Sequence, residues 1–230
     1  MRAPRKIFAV ALASLLAMAA VAAGVLELAY AQALSLAPRP PAAEALPVLP
    51  DLVAKTVWGA EFGAADRRIF PVTPVARLFF LPPSANSLPN MAARLSRSTV
   101  PRATGWRWHL AIAAREIWFS RHYTADQIIS FGATTLSYHP RFSDINSAAQ
   151  QLYGEPLDTL GPSEVALLVG MARAPVRYDP WCNPSNALAR RAFLLTRLAD
   201  AGAIPRERLA GLLARPLGIR PAPTEHRCSP

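Results

Sequence analysis

The chain has 230 residues, 52% of them apolar, which is enough to bury one sizeable core and leaves room for roughly one domain after a leader. Lysine and arginine total 25 against 15 acids, and since Lys6 and Lys55 are the only lysines the net +10 is almost entirely guanidinium, a group that stays charged and pairs with phosphate bidentately. Two cysteines and four scattered histidines show no metal-ligand spacing, so the sequence gives no reason to expect a structural zinc site.

Arg2, Arg5 and Lys6 precede an uncharged run of 20 residues, Ile7 to Leu26. Such a run crosses roughly 30 Å of hydrocarbon and leaves the positive charge on the cytoplasmic side. Ala29-Tyr30-Ala31 fits a small-x-small cleavage site, so a removed signal peptide is the competing reading. The run exceeds the roughly 7 to 15 residues of a signal core, which favours an uncleaved anchor. Both readings export the remainder, where Cys182 and Cys228 are free to pair. The expected divisions are a cytoplasmic tip and anchor over 1–31, a proline-rich linker over 32–50, a domain over 51–220 and a tail over 221–230.

Pro38, Pro40, Pro41, Pro47 and Pro50 predict an extended, semi-rigid spacer ahead of the domain. Asp51 to Phe70 reads as a helix. The apolar run Val75 to Leu81 follows a proline elbow and suits either core packing or a dip into a bilayer interface. Asn90 to Thr99 and Gly105 to Arg121 read as helices, and Thr124 with Gln127 forms a capping box that opens another through Phe131. Asp144 to Leu152 adds one more. No period-two strand pattern is present, so the predicted fold is all-α.

Ser163 to Ala172 is apolar nearly all round and belongs inside a core. Ala174 before Pro175 forces a turn. Asn183 and Pro184 open a helix that Gly202 ends, with a predicted inward stripe of Leu188, Ala192, Leu195 and Ala199 backed by Leu194 and Leu198, and with Arg190, Arg197 and its other guanidinium groups outside.

Ala148-Ala-Gln150, Tyr153-Gly154, Glu164-Val-Ala-Leu-Leu168, Arg173-Ala-Pro175, Tyr178-Asp-Pro180, Asn183-Pro184 and Ala189-Arg-Arg191 together resemble the C-terminal half of the peptidoglycan glycosyltransferase domain. That is glycosyltransferase family 51, found in bifunctional penicillin-binding proteins and in shorter monofunctional enzymes. The resemblance implies a lysozyme-like helical fold after a transmembrane helix, held at the inner membrane with the domain on the periplasmic side. It also implies lipid-linked peptidoglycan precursor or glycan strands as ligands and other cell-wall synthesis proteins as candidate partners, and it leaves open whether a divalent cation such as magnesium is used.

Glycosyl transfer from a lipid diphosphate needs a carboxylate base, cations for the leaving pyrophosphate and a groove that orients two substrates. In the family's E-D-x-x-F motif, one register keeps Glu61 as the base and puts Phe62 at the aspartate; another restores the aspartate at Asp66 but puts Ala65 at the base. The next motif falls on Asn90 to Thr99, where Ala93 and Arg94 replace two glutamines while Leu95 and Arg97 match. Counting back from Ile128-Ile129, the family's second glutamate falls on Ile112 and its arginine-lysine pair on Trp108 and His109. Glu116 stands one turn further, about 6 Å along the axis. Gly132 and Thr134 replace the last motif's tyrosine and asparagine.

The candidate site is therefore Glu61 and Glu116 as carboxylates, with Arg94, Arg97 and Arg107 toward phosphate. Since the packing half is legible and three of four chemical motifs have lost polar residues, the expectation is a protein that binds lipid-linked precursor or glycan with weak or no turnover. The alternative is an active transferase polymerising lipid-linked disaccharide. Trp106-Arg107-Trp108 would suit nucleic-acid stacking, but no nucleic-acid motif accompanies it. A Ser-x-x-Lys transpeptidase centre is excluded, because neither lysine has serine three residues before it.

Overall fold

The computed structural model describes residues 3–36, 41–62, 69, 71–79, 105–135 and 141–228, and within these the side chains of all but 3–6, 61–62 and 78–79. No β-strand occurs among the described residues, and the fold is all-α as expected.

The first helix, α1 (Ala3–Ser35), runs unbroken through Ala29-Tyr30-Ala31. Its Ile7–Ser35 portion is the one described helix long and apolar enough to cross a membrane. These 29 residues span about 44 Å, more than the hydrocarbon needs, and the surplus docks on the domain. Residues 41–50 of the proline-rich stretch lie against the domain. Ala43–Ala45 forms a short 3₁₀ turn, Leu46 and Leu49 pack against the core, the Tyr123 hydroxyl donates to the Pro41 carbonyl and the Ser130 hydroxyl to the Pro47 carbonyl.

Helices α2 (Asp51–Phe62), α3 (Pro74–Phe79) and α4 (Trp106–His122) follow. The predicted helix over Asn90 to Thr99 lies outside the described residues. Helix α5 (Ala125–Thr135) opens on the predicted capping box: the Gln127 Oε1 accepts from the Thr124 amide at 2.8 Å and the Thr124 hydroxyl accepts from the Gln127 amide at 3.3 Å. Two otherwise orphaned donors are satisfied this way. In α6 (Ile145–Leu152), the Asp144 Oδ1 accepts from the Ser147 amide at 2.8 Å and caps the first turn.

Helix α7 (Pro162–Met171) is the hub. Every residue from Ser163 to Met171 except Glu164 is buried, as its all-round apolar sequence demands, and α2, α6, α8 (Pro184–Asp200) and α9 (Arg206–Leu213) all pack on it. Helix α8 buries Leu194, Leu195, Leu198 and Ala199 as predicted and departs from the predicted stripe in its first turns. Ala187, Arg191, Leu194, Leu195 and Leu198 face inward, whereas Leu188 is exposed. The guanidinium groups of this helix are therefore not all outside: Arg191 is 2% exposed and donates to the carbonyls of Leu213, Arg215 and Pro216, satisfying backbone acceptors where α9 ends.

Beyond α9 the chain returns across the domain as a strap. The Arg220 amide donates to the Leu152 carbonyl at 2.7 Å, and the Trp181 indole donates to the Arg220 carbonyl at 2.8 Å. Arg141 pairs with Glu225, His226 with Asp179, and Cys228 is disulfide-bonded to Cys182. Gly154 carries a positive φ of 76°, and a side chain there would collide with the Arg220 guanidinium, so glycine both ends α6 and admits the strap.

Candidate functional site

The chemistry-bearing residues described by the structure gather on α3 and α4. The Val72 amide donates to the Ser120 hydroxyl and the Arg121 Nε to the Val72 carbonyl, both at 2.9 Å, while five residues on Arg77 Nε meets Glu116 Oε2 at 3.0 Å. These contacts run α3 antiparallel to α4. They also bring the carboxylate one turn from Ile112 against a guanidinium, with side chains only 22% and 12% exposed. Partial burial with a charged partner makes the pair mutually dependent, since removing either group leaves a desolvated charge. Arg115, next to Glu116, is 2% exposed, and burial pulls its guanidinium below its ordinary value.

Arg121 joins this group to the anchor. It donates to both carboxylate oxygens of Glu27, at 2.7 and 3.1 Å, and lies 4.9 Å from the Tyr30 ring centroid. A bidentate pair with a cation–π contact fixes orientation as well as distance. The predicted cleavage stretch therefore lies within a docked helix, with Ala33 buried just beyond it. Glu27→Gln should weaken docking by about 1 kcal/mol, since both groups are partly exposed. The measurement is amide exchange over residues 27–35: faster exchange is expected, and unchanged exchange would show that the pair does not hold the helix.

The structure places the predicted site residues unevenly. Glu116 is brought to Arg77. Arg107 is exposed at the start of α4, its guanidinium 5.7 Å from the centroid of the equally exposed Trp106 ring. Glu61 lies in the last turn of α2, which packs on α5, α7 and α8, and its side chain is outside the described ones. Arg94 and Arg97 lie outside the described residues. Ile112 is half-buried.

Sequence reasoning missed Arg77. Its signal was a lone arginine inside the apolar run Val75 to Leu81, where a charge requires a partner. Among the described residues the site's carboxylate is Glu116, already bridged to Arg77, so they assemble no donor set for magnesium.

Among the described residues, an all-α, lysozyme-like body built around a buried apolar hub follows an N-terminal helix long and apolar enough to span a bilayer. Residues 94–199 match the sequence model of the family described as Transglycosylase, which supports a family 51 peptidoglycan transglycosylase domain over that segment. It is 32% identical over 97 residues to penicillin-binding protein 1A of Pseudomonas aeruginosa, covering 42% of this chain and 12% of that one. Over 74 residues it is 40% identical to penicillin-binding protein 1B of Escherichia coli, 32% of this chain and 9% of the other. A Cupriavidus necator protein named as a transglycosylase is 37% identical over 73 residues, 32% of each chain. The matched part thus spans about a tenth of the two penicillin-binding proteins and a third of the third relative.

Proposed function

We propose that the protein is a single-pass inner-membrane member of this family, its domain on the periplasmic side, that binds lipid-linked peptidoglycan precursor or glycan and turns it over weakly or not at all. The observation that carries the reading is the state of α4. The family's glutamate position is Ile112, and the one carboxylate a turn away, Glu116, is held by Arg77 rather than presented to a substrate hydroxyl. A general base must reach the proton it abstracts, and a 1 Å misplacement already costs heavily. The arginine-rich surface suits the diphosphate and anionic headgroups, with Arg94, Arg97 and Arg107 as the proposed contacts. The docking of α1 through Glu27 and Tyr30 supports its retention.

The test is incubation of the detergent-held full chain with lipid-linked disaccharide precursor, beside Glu61→Gln and an active family member. The expected result is precursor binding with polymer formation at least about 10²-fold below the active enzyme. Glu61→Gln should change binding by less than about twofold, because the residue is not being used for chemistry. Polymer formed at the active rate and abolished by Glu61→Gln would replace this reading with that of a working transferase based on Glu61. Neither binding nor polymer would remove the glycan reading altogether.

A further inference from the structure

We propose that the side chains latching the C-terminal strap become a divalent transition-metal site, suited to zinc, when the Cys182–Cys228 bond is reduced, with Cys182 Sγ, Cys228 Sγ, His226 Nε2 and Asp179 Oδ2 as ligands. His226 Nε2 lies 3.1 Å from Cys182 Sγ and 3.0 Å from Asp179 Oδ2. Both sulfurs and the imidazole lie within 4.8 Å of one another. A tetrahedral site with Zn–S near 2.3 Å and Zn–N near 2.0 Å needs ligand-to-ligand edges of about 3.3 to 3.8 Å. The two edges at the imidazole are thus within about half an ångström of that requirement, and the sulfurs part once their bond is broken.

The surroundings hold these groups in place. The His226 and Asp179 side chains are 3% and 5% exposed, so water competes poorly for the position between them. Asp179 Oδ1 accepts from the amides of Trp181 at 2.9 Å and Cys182 at 3.4 Å, which turns Oδ2 toward the imidazole. The Trp181 ring stands edge-on to His226 at 4.7 Å between centroids. Two thiolates and an imidazole select zinc over magnesium or calcium, whose preferred donors are oxygen. The sequence spacing hid the cluster because Asp179-x-x-Cys182 and His226-x-Cys228 are separated by the whole of α8 and α9, a Cys-to-Cys separation of 46 residues.

The chemistry balances with a dithiol or phosphine as reductant. A dithiol gives two Cys thiols and its own disulfide; a phosphine takes up a water oxygen to become its oxide. The metal then binds with release of the two thiol protons, the imidazole coordinating through unprotonated Nε2 with its proton on Nδ1. One set of side chains thereby latches the strap in either redox state, covalently when oxidised and through a metal when reduced.

The experiment titrates cobalt(II) into the phosphine-reduced, detergent-held full chain under anaerobic conditions, with circular dichroism recorded in parallel. Expected are one equivalent bound, thiolate charge-transfer and tetrahedral d–d absorption, and displacement by zinc. His226→Ala and Asp179→Asn should each weaken binding by about tenfold or more. The oxidised chain and a Cys182→Ser/Cys228→Ser variant should give no thiolate band. Absence of the spectrum in the reduced chain, equal binding by His226→Ala, or loss of helix on reduction that zinc does not restore would overturn the proposal. None of these readouts involves glycan, so the outcome is separable from the precursor assay.

Discussion

Arg191→Met is expected to lower the unfolding free energy by about 3 kcal/mol, seen as a fall of roughly 6 to 12 °C in the melting midpoint. Methionine keeps most of the aliphatic stem and the helix propensity, so the loss isolates the guanidinium. That group donates to the carbonyls of Leu213, Arg215 and Pro216, which become unsatisfied when it is gone. The control is Arg190→Met. Arg190 is half-buried, its guanidinium 5.8 and 5.0 Å from the ring centroids of Tyr178 and Phe193, and it does not hold the carbonyls at the end of α9, so its removal should cost less than that of Arg191. Equal effects from the two neighbours would mean that the register of α8 is not as described. The variant also carries a pH signature. Burial first, and then the Glu164 carboxylate, push the Tyr153 phenol well above its usual 10.0, while Arg191 pulls it down. A phenol raised in the folded state adds stability that is complete below its unfolded value and is lost as pH climbs past about 10. Without the Arg191 cation the phenol is pushed further up, so the loss of stability above pH 10 should run on to higher pH in the variant with its slope unchanged.

The same arginine shows where sequence reading worked and where it failed. Hydrophobic spacing located α7 and its burial because an all-round apolar run has one solution, the middle of the core. Capping chemistry located the openings of α5 and α6 because Thr124, Gln127 and Asp144 act within a turn of themselves. Asn183 does precede α8, yet its amide nitrogen donates to the Val176 carbonyl instead of capping the helix, a tertiary choice the local sequence does not contain. The stripe of α8 held over Leu194, Leu195, Leu198 and Ala199 and failed in the first turns, because arginine was counted as a surface residue. Taken as an inward residue, Arg191 joins Ala187, Leu194, Leu195, Leu198 and Ala199 on the buried face, and the exposed Leu188 falls outside it.

The site was less legible than the fold for a related reason. Motif register placed Ile112 where the family keeps a glutamate, and Glu116 was the nearest substitute on the same helix. Its partner Arg77 lies 39 residues away on a six-residue helix, and no periodicity links the two. The docking of α1 depends likewise on Glu27 and Arg121, 94 residues apart. Packing patterns repeat along a chain and can be read from it, whereas charge pairs between segments are fixed only when the segments meet.

Replacing both Cys182 and Cys228 with serine should cost about 4 kcal/mol, among the largest stability effects of any change in the folded body. The cross-link closes a loop of 46 residues containing α8, α9 and the strap. In the chain-entropy account, removing it returns that loop's freedom to the unfolded state while leaving native contacts in place. The strap should therefore persist in the variant, held by Arg220 on Leu152, Trp181 on Arg220, and His226 on Asp179. Two measurements separate the contributions. Urea unfolding of the variant should show a lower midpoint with the slope little reduced, and amide exchange at Arg220 should quicken only moderately. Asp179→Asn in the oxidised chain should do the reverse, costing about 1 to 2 kcal/mol by weakening the His226 contact while the cross-link stands. If the serine variant and the parent unfold at the same urea concentration, the cross-link does not contribute to stability, and the strap is held by its polar contacts alone.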